Sequence, residues 1–163
     1  MALAAKQLNA KMIYISSDYV FDGQGDVPFE VDVPIAPQNV YGLTKAQGEA
    51  EVRKLLPSFS SYASAGYLKI NGNNFIKTML RLGAERETLS VVNDQIGSPT
   101  FTDDLAPPLC DMLVTEQYDT YHATNEAYCS RYELASFIMA QANLACQVQP
   151  ITRRGHVKDF LHI

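Results

Sequence analysis

Residues 11–21 read KMIYISSDYVF. Met12 to Ile15 form a continuous apolar run with the composition of a strand buried on both faces, and the run ends in Ser16, Ser17 and Asp18. Open α/β sheets gather their chemistry at the carboxyl ends of strands, so the hydroxyls here are the first candidates for function. Downstream, Asp22 to about Gln38 is a loop broken by Gly23, Gly25, Pro28, Pro34 and Pro37. Asn39 then caps a helix running to about Leu56, with Tyr41, Lys45, Gly48 and Val52 near one face and Pro57 to stop it.

The remaining segments alternate. The start, ALAAKQLNA, is helical. Asn73-Asn74 caps a helix FIKTMLRLGAERE, TLSVVND is a short strand, and QIGSPT is a turn-rich loop. FTDDLAPPLCDMLV is helical at both ends, with Pro107 and Pro108 marking a start or a kink. YDTYHATN is strand-like, and SRYELASFIMAQANLA is an amphipathic helix. Strands alternating with helices give an α/β fold. A nucleotide-binding α/β domain normally opens with a strand, a Gly-rich turn and a helix, and neither G-x-G-x-x-G nor G-x-x-G-x-x-G occurs here. The chain therefore reads as the second half of such a domain.

Composition narrows the function. With 163 residues, 47% of them apolar and 19% charged, one core can form. A formal charge of -5 and 13 scattered basic residues give no footprint for nucleic acid. No apolar run approaches the roughly 20 residues that span a bilayer, and no signal peptide is visible, so a cytoplasmic protein without membrane contact is expected. Cys110, Cys129 and Cys146 contain no C-x-x-C and read as buried small apolar side chains. The histidines show no H-x-x-x-H, so no protein-made metal site is expected.

The chemistry lies in Ser17, Tyr41 and Lys45. A phenol with an ordinary pKa of about 10 is a poor proton source at neutral pH unless its phenolate is stabilised. A lysine four residues later on a helix brings a positive charge to the same face. The same spacing also arises on the solvated side of ordinary helices. What favours chemistry is the strand upstream, whose Ser16 and Ser17 could donate a hydrogen bond to a carbonyl oxygen that the tyrosine protonates.

S-S-D-Y-V-F-D-G at 16–23, followed by P-x-N-x-Y-G-x-T-K at 37–45, resembles the extended short-chain dehydrogenase/reductase superfamily. Within it, NGNNFIKTMLRLGAERETLSVVNDQIGSPT and YHATNEAYCSRYELA resemble dTDP-4-dehydrorhamnose reductases from Leu3 to about Thr152, and D-Q-x-G-x-P-T at 94–100 narrows the choice. The resemblance implies a partial Rossmann-like α/β domain lacking its N-terminal half, joined to a small substrate-binding α/β part. Residues 1–58 would be the last part of the dinucleotide-binding domain with the catalytic helix, 59–152 the remaining Rossmann strand and substrate region, and 153–163 a divergent tail.

It further implies reduction of the C4 ketone of dTDP-4-dehydro-L-rhamnose by NADPH or NADH. Tyr41 would be the general acid, Lys45 would stabilise its phenolate and hold the nicotinamide ribose, and Ser17 would polarise the carbonyl. Asn73, Asn74 and Phe75 would approach the nucleotide diphosphate at a helix start, a place that suits an anion. Gln95, Gly97, Pro99 and Thr100 would form the substrate-side loop. A helix cap and a plain turn explain these same residues. The resemblance admits a homodimer and a Mg2+ ion at a subunit interface, and it places the Gly-rich cofactor turn upstream of residue 1. Two other readings share the motifs: a non-catalytic subunit similar to the methionine adenosyltransferase beta subunit, and an extended reductase or epimerase for another nucleotide sugar.

SFSSYASAGYL at 58–68 departs from the family, which has a strand resembling F-I-x-R-x-S-W-V-F-G there. Two compensating frameshifts would explain it, because with TCN codons for Ser60, Ser61 and Ser64 the shifted triplets at those places encode apolar residues. A divergent loop or strand is the other reading. Arg131, where many relatives have Trp, and the tail after Thr152 also depart, and together these imply a truncated or inactive fragment.

Overall fold

The structure is a computed structural model and describes residues 1–24, 27–63, 66–69 and 71–152. The divergent tail from residue 153, and Ser64 and Ala65 within SFSSYASAGYL, lie outside the described residues. In chain order the elements are α1 (Ala2–Gln7), β1 (Met12–Ile15), α2 (Val40–Leu55), β2 (Phe59–Ala63), β3 (Tyr67–Leu68), α3 (Phe75–Glu85), β4 (Thr88–Val92) and β5 (Ile96–Gly97). They continue with β6 (Thr100–Phe101), α4 (Thr102–Leu113), β7 (Thr120–His122), β8 (Cys129–Ser130), α5 (Arg131–Gln141) and β9 (Gln147–Ile151).

Two compact units are present. The first, Met1–Ala65 with Asp103–Thr124, is built on a parallel sheet in the order β1-β2-β7. Met12 pairs with Phe59 and Ile15 with Tyr62, while Ser61 pairs with Thr120. Val52, Leu56 and Phe59 form the core under α2, with Ala2, Ala5, Met12 and Tyr14 packed against them. Burying side chains of this size contributes about 1.5–3 kcal/mol each. Glu49, buried on the same helix, accepts from the Arg53 guanidinium at 3.2 Å, and Arg53 also reaches the Thr120 hydroxyl at 2.7 Å.

β2 is an element that sequence pattern missed. Its five residues are all buried and it is the central strand, although FSSYA lacks an apolar run. Pairing on both edges, rather than side-chain preference, makes it a strand. The cost is visible in its hydroxyls. Ser60 donates to the Gln117 carbonyl at 3.2 Å, but among the described residues the hydroxyls of Ser61 and Tyr62, and of Ser16 beyond the end of β1, find no partner. The Tyr62 ring stacks on Tyr121 at 5.3 Å, and burial, then Tyr121, pushes its phenol pKa up.

α4 also differs from expectation. It runs through Pro107 and Pro108 instead of starting at them, so the helix forgoes the two rungs those residues' N–H groups would have made. Of the three cysteines only Cys146 is buried; Cys129 is half-buried and Cys110 is exposed on α4.

The second unit, Gly66–Thr102 with residues from Asn125 onward, pairs β4 with β9 in parallel, from Thr88 opposite Gln147 to Val92 opposite Ile151. α3 and α5 close over this pair through Met79, Leu89, Val91, Ala135, Ile138, Met139 and Cys146. Gly83 lets the helices approach, since a Cβ there would fall on the Met139 sulfur. β9 is largely exposed and contains Pro150, which an edge strand tolerates. Short pairs β3–β6 and β5–β8 complete the unit.

Candidate active site

The end of β1 leads into a 3-10 turn, Asp18–Val20, and Ser17 is its cap. The Ser17 hydroxyl accepts the Tyr19 N–H at 3.2 Å and donates to the Asp18 carboxylate at 2.9 Å. It is buried. α2 starts as the sequence predicts: the Asn39 side-chain oxygen accepts the Gly42 N–H at 2.7 Å, satisfying one of the helix's free donors. At Gly42 the first turn of α2 meets the turn after β1 so closely that a Cβ would fall on the Tyr19 carbonyl oxygen.

This contact places Tyr41. Its side chain is 52% exposed, and its ring stands edge-on to Tyr19 at 5.8 Å. One turn on, the Lys45 ammonium donates to the Ile15 carbonyl at 2.6 Å and sits 5.2 Å from the centre of the Tyr14 ring. The Tyr14 hydroxyl in turn donates to the Lys45 carbonyl at 3.0 Å. Lys45 is thus tied to the residue two before Ser17, and Tyr41 leans on the residue two after it. The three candidates surround one strand end. Around them, burial first, then the Glu49 carboxylate and Tyr41, push the Tyr14 phenol up.

The other candidates belong to the second unit. Asn74 uses both ends of its amide, accepting the Lys77 N–H at 2.9 Å as the cap of α3 and donating to the Lys69 carbonyl. Asn73 is exposed, and Phe75 is half-buried with the Arg131 guanidinium 5.6 Å from its ring centre. Arg131 Nε also donates to the Gln95 side chain at 3.1 Å, and its backbone N–H to the Gln95 carbonyl at 3.2 Å. Gly97 pairs with Cys129. Pro99 is half-buried, and Thr100 is fully buried with its hydroxyl on the Ser98 carbonyl at 3.0 Å. Arg131 therefore joins Gln95 to Phe75.

Sequence reasoning missed Tyr14, Tyr19 and Gly42 as members of the site. Tyr14 left a signal, because a phenol inside a buried apolar strand needs a hydrogen-bond partner. Tyr19 and Gly42 stood inside the S-S-D-Y-V-F-D-G and Y-G-x-T-K motifs, but their closeness exists only once α2 folds back onto the strand end.

Among the described residues no group of three or more His, Cys, Asp or Glu side chains could hold a metal ion, and no helix is long and apolar enough to cross a membrane.

A parallel α/β framework with Ser17 at a strand end and Tyr41 and Lys45 one turn apart on the adjoining helix has the partial Rossmann-like fold of extended short-chain dehydrogenase/reductases. Within that class, the chain belongs to the RmlD substrate binding domain family, whose model matches residues 1–159. It is 36% identical to the spore coat polysaccharide biosynthesis protein SpsK of Bacillus subtilis over 93% of this chain and 53% of that protein. The structure of a dTDP-4-dehydrorhamnose reductase from Bacillus anthracis in complex with NADP superposes with a TM-score of 0.90 at 39% identity, covering 97% of this chain and 57% of that one. A dTDP-4-dehydrorhamnose reductase ortholog from Clostridium acetobutylicum gives 0.92 at 37% identity, covering 96% and 56%. The chain spans about half the length of the curated relatives it matches.

Proposed function

We propose that this chain carries the proton-transfer and sugar-binding side of a nicotinamide-dependent reduction of the C4 ketone of dTDP-4-dehydro-L-rhamnose to dTDP-L-rhamnose. The observation that carries the reading is the bracketing of Ser17 by the Lys45–Ile15 bond and the Tyr41–Tyr19 contact. Tyr41, half-exposed and able to meet a substrate, gives its phenolic proton to the C4 oxygen. Ser17 polarises that oxygen after turning its hydroxyl away from Asp18. Lys45 uses one of its three donors on Ile15, which leaves two for the hydroxyls of a ribose and its charge for the phenolate. These residues fit a nicotinamide ribose; when bound, the cofactor supplies hydride to C4. Asn73, Phe75, Gln95, Gly97 and Pro99 serve the nucleotide sugar, with Asn74 and Thr100 holding their backbone in shape.

The unpartnered hydroxyls of Ser61 and Tyr62 support the reading that the central strand has been altered in frame. The test is nicotinamide oxidation with dTDP-4-dehydro-L-rhamnose, in this chain and in one extended by a relative's Gly-rich half. Tyr41→Phe abolishes turnover in the extended protein and leaves sugar-nucleotide binding largely intact. Undiminished turnover in that variant overturns the proton-donor role, and resequencing the DNA across residues 58–69 decides the frame.

A further inference from the structure

We infer that Tyr14 is the positioning residue of this site, fixing the Lys45 ammonium beside the end of β1. The inference rests on the reading of Lys45 given above. Tyr14 grips one residue at both ends: its ring lies 5.2 Å from the ammonium, and its hydroxyl donates to the same lysine's backbone carbonyl at 3.0 Å. The ammonium then finds the Ile15 carbonyl, next in the chain, at 2.6 Å. Tyr14 and Ile15 together define where the charge sits. The helix is shaped for this grip, because a Cβ at Gly48 would fall on the Tyr14 hydroxyl, so the absence of a side chain there makes the seat.

A free lysine side chain samples many rotamers and loses that freedom when it is held in one place. Aromatic attraction for a cation near its face, here beside a half-buried strand, narrows that freedom before any ligand arrives. The ring is what holds the ammonium, and a phenylalanine would keep it; the hydroxyl's bond to the Lys45 carbonyl ties the same residue a second time.

Proton–carbon NMR of isotope-labelled lysine tests the grip without turnover. In the wild-type chain the Lys45 ε-methylene, identified by its loss in Lys45→Arg, is displaced upfield of those of Lys6 and Lys54 by the Tyr14 ring. Tyr14→Phe keeps the displacement and Tyr14→Leu abolishes it. A wild-type Lys45 signal beside those of Lys6 and Lys54, or one still displaced in Tyr14→Leu, overturns the inference. Should Tyr14→Leu lose its amide dispersion, the wild-type signal decides alone. In an active extended protein Tyr14→Leu lowers kcat about 10- to 100-fold with KM for the nucleotide sugar little changed, as expected when a reacting group is misplaced, and Tyr14→Phe restores most of it. An inactive protein leaves the NMR result standing, so failure of the reductase reading and failure of this inference are told apart.

Discussion

Gly42 faces the carbonyl oxygen of Tyr19 with no room between them for a Cβ, and this single close approach sets the distance between the first turn of α2 and the end of β1. The atom it would strike is backbone, which yields less readily than the tip of a side chain. Overpacking of this kind costs about 1–3 kcal/mol. Gly42→Ala is therefore expected to lower the urea midpoint by that equivalent and to break the edge contact between Tyr41 and Tyr19. A midpoint equal to wild type would show that α2 can slide outward freely, and Tyr41 would then have no fixed place.

Ser61 offers the opposite case. It is fully buried in the middle of β2, and among the described residues its hydroxyl has no partner. A buried unpaired hydroxyl costs about 1–3 kcal/mol, whereas an apolar group of similar shape costs nothing of this kind. Ser61→Ala is expected to raise stability by roughly 1 kcal/mol on the same basis. Denaturant unfolding measures it. A loss of stability would mean that the hydroxyl is bonded in the folded protein.

These residues also show where sequence patterning stops. β1, α2, α3 and α5 were legible because each carries its own signal: an apolar run, or a capping residue followed by helical spacing. Asn39 and Asn74 cap the helices they were expected to cap, and β4 falls within TLSVVND. β2 and β9 carry no such signal. Phe59–Ala63 is held by neighbours on both edges, and Gln147–Ile151 is a largely exposed edge strand whose order comes from β4. α4 overrode its prolines because only two rungs were lost. At the site, spacing along one helix made the Tyr41 and Lys45 pair visible. The Tyr14 grip joins residues 31 apart in sequence, which no local pattern encodes.

The start of α5 gives a pH dependence. Ser130 and Glu133 form a capping box: the Ser130 hydroxyl accepts the Glu133 N–H at 3.1 Å, and the Glu133 carboxylate accepts the Ser130 N–H at 2.7 Å. The backbone bond from Ser130, then its side-chain bond, hold the Glu133 carboxyl below its usual value. A carboxyl lowered by folding stabilises fully above the unfolded value, about 4.3, and that contribution fades as pH falls through the folded value. Thermal unfolding across this acid range is expected to show wild type losing stability more steeply than Glu133→Gln. Parallel curves would mean that the carboxylate is not bonded to the cap.

Asn39 connects helix capping to the site itself. Its side chain takes the Gly42 N–H at 2.7 Å, and Gly42 lies beside Tyr41 and against Tyr19, so the cap holds the turn that carries the proposed acid. Replacing a capping Asn by Ala typically costs about 1 kcal/mol, while Asp or Ser keeps an acceptor in place. Asn39→Ala is expected to lose about that much stability and to speed hydrogen exchange at the Gly42 amide, with Asn39→Asp close to wild type on both counts. Because α2 is also anchored further along by Val52 and Leu56, the loss should be confined to the first turn. Exchange at Gly42 that is equally slow in Asn39→Ala would show that packing against Tyr19, rather than the cap, holds Tyr41 in place.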